Sequence, residues 1–178
     1  MKSSYPMPDF RKIYQGGIGK YQLEEILLHI SLHEEDFPVI FELIFDSDKQ
    51  VAFRAAWTIE KVSAKWPQWF GENQISRCTD LCLTTKHTGM HRLLISILRY
   101  LPVPDPIPVN LYNALYYWML QPGFSIGVQS LSMKLLHKYA KTNPDLLQEF
   151  LIILEQTDPS EYTPAFYASR INILKHYK

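Results

Sequence analysis

The apolar positions of this chain recur three and four residues apart, the spacing of a helix with one buried face. Leu23, Ile26, Leu27 and Ile30 place a first helix over about Lys20 to Leu32. Val39, Ile40, Leu43 and Ile44 mark a second, starting near Asp36. Its Pro38 falls in the first turn, where a missing N–H is harmless. A third runs from Val51 to a stop at Trp66-Pro67, with Ala52, Ala55, Ala56, Ile59 and Val62 inward. A fourth reaches about Thr85 through Ile75, Cys78, Leu81 and Cys82. The fifth begins after Thr88 and ends at Leu101-Pro102. A proline-rich link, VPDPIP, leads to a sixth with Leu111, Leu115, Trp118 and Met119. The seventh starts after Ser125 and runs to about Thr142. The eighth has Asn143 as its cap and Pro144 first, and the ninth has Thr163 and Pro164 in the same places. Strand-like alternation never persists, so the pattern predicts an all-α chain of about nine helices.

The helices repeat. At a shift of 38, Ile59 meets Ile97, Leu135 and Ile173, while Ala52 meets Met90, Val128 and Phe166. Ser125 and Thr163 share this spacing, as do Asp105 and Asn143, each followed by proline. A period near 40 with two helices per unit is the signature of HEAT and armadillo arrays. The segments AFRAAWTIEKV and GVQSLSMKLLHKYAKTNPDLLQEFL resemble HEAT-type repeats. From about residue 20 to 178 the chain is similar to small bacterial HEAT-like proteins of uncharacterised function. The resemblance implies an α-α superhelix of stacked antiparallel pairs, closed by the ninth helix, in one domain over 1–178. It also implies a scaffold for protein partners. One branch of the family binds and repairs alkylated DNA, which makes nucleic acid the alternative partner.

Residues 1–19 precede the periodic part and read as a loosely held arm. No apolar leader is visible in MKSSYPMPDFRKIYQGG, and no run is long enough to cross a membrane. Cys78 and Cys82, four apart on one helix, do not suit a disulfide, so reduced thiols and a cytoplasmic location are expected. Net charge is zero, but residues 1–50 carry −4 and the remainder +4. A strongly electrostatic nucleic-acid binder is thereby disfavoured, while a local basic patch is not.

Such a patch can be placed. On the first helix of each pair the arc left to solvent is narrow and basic, with no acidic residue in any copy. It holds Arg54, Thr58, Lys61 and Lys65, then Arg92, Ser96 and Arg99. The third copy gives Ser130, Lys134, His137 and Lys141, and the last Ala168, Asn172 and Lys175. The predicted binding ridge is Arg54, Lys61, Lys65, Arg92, Arg99, Lys134, His137 and Lys175. Two charges about 10 Å apart in water repel by roughly 0.4 kcal/mol before screening. A like-charged ladder is therefore tolerable without any ligand. The expected occupant is a protein partner or an acidic ligand, with the protein partner bound through this ridge or through the opposite, second-helix face. Base stacking on nucleic acid would need aromatic platforms, for which Trp66 and Trp69 are the best placed, since Trp57 is core-facing.

Other chemistry is thin. GGIGK at 16–20 lacks the first glycine and the Ser/Thr of a phosphate loop. Ser3-Ser4-Tyr5-Pro6-Met7-Pro8 faintly echoes a loop of adenylosuccinate lyases, at the wrong spacing. His29 with His33 and His87 with His91 stand four apart without a third ligand, so they read as surface histidines rather than metal sites. Glu60 is the one acid on its helix position and is expected to pair with Lys61 or Arg54. No cofactor, metal or catalytic group is predicted.

Overall fold

The structure, a computed structural model, describes residues 7–177, the side chain of Pro159 excepted. Most of the lyase-like segment lies outside those residues. Every regular element described is helical. The chain divides after Trp66 into two compact units.

The first unit holds α1 (Phe10–Gly16), α2 (Lys20–Leu32), α3 (Phe37–Glu42) and α4 (Lys49–Lys65). Turns of 3-10 helix at Glu34–Asp36 and Leu43–Phe45 extend α3 at both ends. The other three helices all pack on α4. That helix starts where Asp48 accepts from the amides of Gln50 (2.9 Å) and Val51. Its Ala55, Ala56, Ile59 and Val62 are fully enclosed.

Residues 10–16 are not a loose arm. Asp9 caps them by accepting from the Lys12 amide (3.0 Å). Phe10 and Tyr14, one turn apart, are buried. The Tyr14 hydroxyl donates to Thr58 (2.9 Å), and Arg11 grips Asp46 through Nε (2.7 Å) and Nη2 (3.1 Å). Gly17 ends the helix at φ +92°, a value side chains avoid, and a Cβ there would meet the Arg54 guanidinium at 3.5 Å. The described residues therefore contain ten α-helices rather than nine.

The second unit holds α5 (Glu72–Thr84), α6 (Thr88–Tyr100), α7 (Val109–Leu120), α8 (Ile126–Ala140), α9 (Pro144–Gln156) and α10 (Pro164–Leu174). At its centre α8 packs against α6, α7, α9 and α10. Met133, Leu135 and Leu136 are fully enclosed there, each burial contributing about 1.5–3 kcal/mol. Ser125, Asn143 and Thr163 cap α8, α9 and α10 as expected. Asp105 does not cap α7, which begins at Val109. Pro104, Pro106 and Pro108 supply no amides to a helix starting earlier, and the Asp105–Pro106 bond is cis.

The 38-residue register governs burial. Ala52, Met90, Val128 and Phe166 are all buried, as are Ile59, Ile97, Leu135 and Ile173. No described helix is long and apolar enough to cross a membrane.

Candidate partner-binding surface

In the first unit, the basic arc of α4 is largely covered. Thr58 is fully buried, accepting from Tyr14 and donating to the Arg54 carbonyl (3.2 Å). Arg54 is half-buried and donates to the carbonyls of Tyr14 (2.5 Å) and Gln15 (3.4 Å). Those are among the last carbonyls of α1, and the Tyr14 carbonyl also accepts from the Gly17 amide (3.2 Å). Arg54 thus serves as a helix cap and is not part of an open ridge. Lys61 pairs with Glu60 (2.9 Å), as the sequence suggested. Lys65 is exposed, its Nζ 5.6 Å from the Trp66 ring centre.

In the second unit, the arc is better preserved. Arg92 on α6 is exposed, and its stem lies across Gly127 of α8. A Cβ on that glycine would stand 2.9 Å from Arg92 Cδ, so the glycine makes room for the stem. Ser96, expected on the solvent arc, is buried. Arg99 is half-buried, its guanidinium 4.4 Å from the Tyr100 ring centre. Lys134 and Lys141 are exposed on and just after α8, and Lys175 just after α10. His137 stacks on Phe150 (5.8 Å, 19°) and its Nε2 meets the Tyr177 hydroxyl at 2.7 Å.

Lys138, which the sequence reading passed over, joins this group. Its ammonium donates to the carbonyls of Arg99 (2.8 Å) and Leu101 at the end of α6. The electrostatics show crowding. Burial lowers the His137 pKa, and the positive charges of Lys141 and His176 lower it further. Lys138 is lowered by burial and then by Arg99 and Lys141. None of Arg92, Arg99, Lys134, His137, Lys138, Lys141 or Lys175 forms an ion pair among the described residues. Beside Lys175, a groove of 490 Å³ is bounded by Tyr167, Arg170, Ile171 and Leu174. Arg170 is itself occupied, donating to the carbonyls of Leu154 (2.5 Å) and Glu155 (3.1 Å).

The remaining candidates are inert as chemistry. Cys78 and Cys82 are free and buried, and burial pushes the Cys78 thiol up to about 12 and Cys82 higher still. A thiol so protonated is neither nucleophile nor ligand. His29 is held by Asp36 (2.7 Å) and stacks on His33 (4.6 Å). His91, expected at the surface, is buried against Trp118 (4.1 Å, 88°). No cluster of three metal-ligating side chains occurs among the described residues. Trp66 and Trp69 are half-exposed.

Paired helices with a register of 38 residues and interlocked ends define a helical repeat protein. The chain belongs to the HEAT repeat family: the model of the HEAT repeat domain matches residues 10–177. No curated protein and no solved structure matches it. Members of this family commonly act as scaffolds for protein interaction.

Proposed function

We propose that this protein is a non-catalytic scaffold that binds an acidic surface on a protein partner, through Arg92, Lys134, Lys141 and Lys175 of its second unit. One observation carries the reading: among the described residues these cations are exposed and form no ion pair with a carboxylate. Uncompensated charge of one sign steers an oppositely charged partner and favours its encounter. Lys61 and Lys65 of the first unit play at most an accessory part, and Arg54 none. The location in the cytoplasm fits the reduced cysteines.

The test is fluorescence anisotropy with a labelled glutamate-rich peptide and a labelled DNA duplex, each from low to physiological salt. The Lys134→Glu/Lys141→Glu variant, altered only at exposed positions, is run beside the parent. The expected result is peptide binding that weakens with salt and disappears in the variant. Equal binding by parent and variant would overturn the assignment. Binding of DNA but not peptide would transfer the surface to nucleic acid.

A further inference from the structure

We propose that the cavity between the α5–α6 turn and the start of α8 is a binding site for a small organic anion, a carboxylate or phosphate group carried on a flat apolar body. The site is distinct from the exposed cations described above and stands or falls separately.

The cavity has a volume of 310 Å³. That is room for about ten waters, at the lower end of small-molecule pockets. Its wall combines Lys86, Thr88, His91, Trp118, Phe124 and Ser125. No aspartate or glutamate lines it. Lys86, exposed and outside every ion pair described, is the one full charge at the rim.

The backbone around the cavity adds to this bias. Helices α6 and α8 both begin here with the positive ends of their dipoles, although His87 Nδ1 already accepts from the Met90 amide (3.0 Å) and Ser125 Oγ from the Val128 amide (3.4 Å). Helices α5 and α7 end here, and their negative ends would offset that field. Some of the carbonyls at those ends already have partners, however. Leu120 accepts from Tyr162 (3.0 Å) and Gln121 from the Gln129 side chain (2.8 Å). On α5, Asp80 accepts from the Thr84 hydroxyl (2.9 Å) and Leu81 from the Thr85 amide (2.9 Å).

The second observation is His91. It is 7% exposed, and its Nε2 is enclosed with no hydrogen-bond partner. An imidazole deprived of water and left unpaired is an incomplete site, which an acceptor brought by a ligand would complete. The ring stands edge-on to Trp118 and to Phe124 (6.2 Å, 69°). Two aromatic walls beside a lysine and an unpaired imidazole match an anionic head on a flat apolar body better than a bare ion.

The experiment follows the histidine and indole signals by NMR on the full chain. The probes are benzoate and phenyl phosphate, with benzyl alcohol as the neutral analogue and inorganic phosphate as the bare ion. Saturable shifts at His91 and Trp118 with benzoate or phenyl phosphate are expected, and the tighter of the two identifies the head group. Lys86→Met, a change at an exposed position, should weaken that probe about tenfold, the worth of one charge-assisted hydrogen bond. The Lys134→Glu/Lys141→Glu variant should bind it unchanged. Benzyl alcohol binding as well as benzoate would refute the anion, and inorganic phosphate binding as well as phenyl phosphate would refute the apolar body. Unmoved His91 signals with every probe, or unaltered affinity in Lys86→Met, would overturn the site.

Discussion

Replacing Tyr14 with phenylalanine tests whether α1 is a docked element, and it does so twice. At neutral pH the change removes one buried hydrogen bond, from the Tyr14 hydroxyl to Thr58 (2.9 Å). Thr58 keeps its own acceptor, the Arg54 carbonyl, so only its lone pair goes unused. The expected loss is about 0.5–1.5 kcal/mol. In urea that moves the midpoint down by a few tenths of a molar unit, with the slope unchanged. The second signature is alkaline. Burial raises the Tyr14 pKa above the value of about 10 that it has in an unfolded chain. Above that pH the unfolded chain releases a proton that the folded one retains. The contribution of Tyr14 is therefore intact below pH ~10 and lost above it, by about 1.4 kcal/mol per pH unit. Tyr112, Tyr116, Tyr139 and Tyr162 are raised by burial too, so the parent falls more steeply than one group would dictate. The informative quantity is the difference: Tyr14→Phe should lose stability less steeply by that one-group slope. Urea unfolding by circular dichroism at pH 7 and between pH 10 and 11.5 measures both. If the variant matches the parent at pH 7 and falls in parallel above pH 10, Tyr14 is not enclosed and α1 is not docked.

Two further outcomes are expected. Gly127→Ala should be close to neutral in the parent, because the gain in helix propensity is offset by displacement of the Arg92 stem. With Arg92→Ala in place, the same change should stabilise by up to about 1 kcal/mol, and thermal melts of the four proteins give the coupling. Both thiols should resist a disulfide reagent in the native protein at pH 8 and react fully in denaturant, since each is buried and held protonated. A thiol that reacts rapidly in the native protein would contradict this.

The repeat was legible because burial follows sequence spacing. Positions 52, 90, 128 and 166 had to be apolar for four helices to pack alike, and they are. α1 was missed because its two glycines look like a linker, although Phe10 and Tyr14 stand one turn apart behind an aspartate cap. The ridge was half legible. Periodicity shows which residues share a face, and it cannot show that another segment lies on that face. Tyr14 covers Thr58 from 44 residues away, and no local pattern encodes that. Lys138 was overlooked because its partners are carbonyls at the end of another helix. His91 left a trace. One repeat earlier stands Phe53, and one repeat later Gln129, which is buried. That position therefore faces inward.

The helix-end bonds have a direction. Arg54 reaches back to Tyr14, Lys138 to Arg99 and Leu101, Tyr162 to Leu120, and Arg170 to Leu154 and Glu155. In each case the donor is made after the acceptor. A chain emerging from the ribosome in that order has the carbonyl ends of α1, α6, α7 and α9 open until a later segment arrives. Completion of a helix here is an event in the history of a later one.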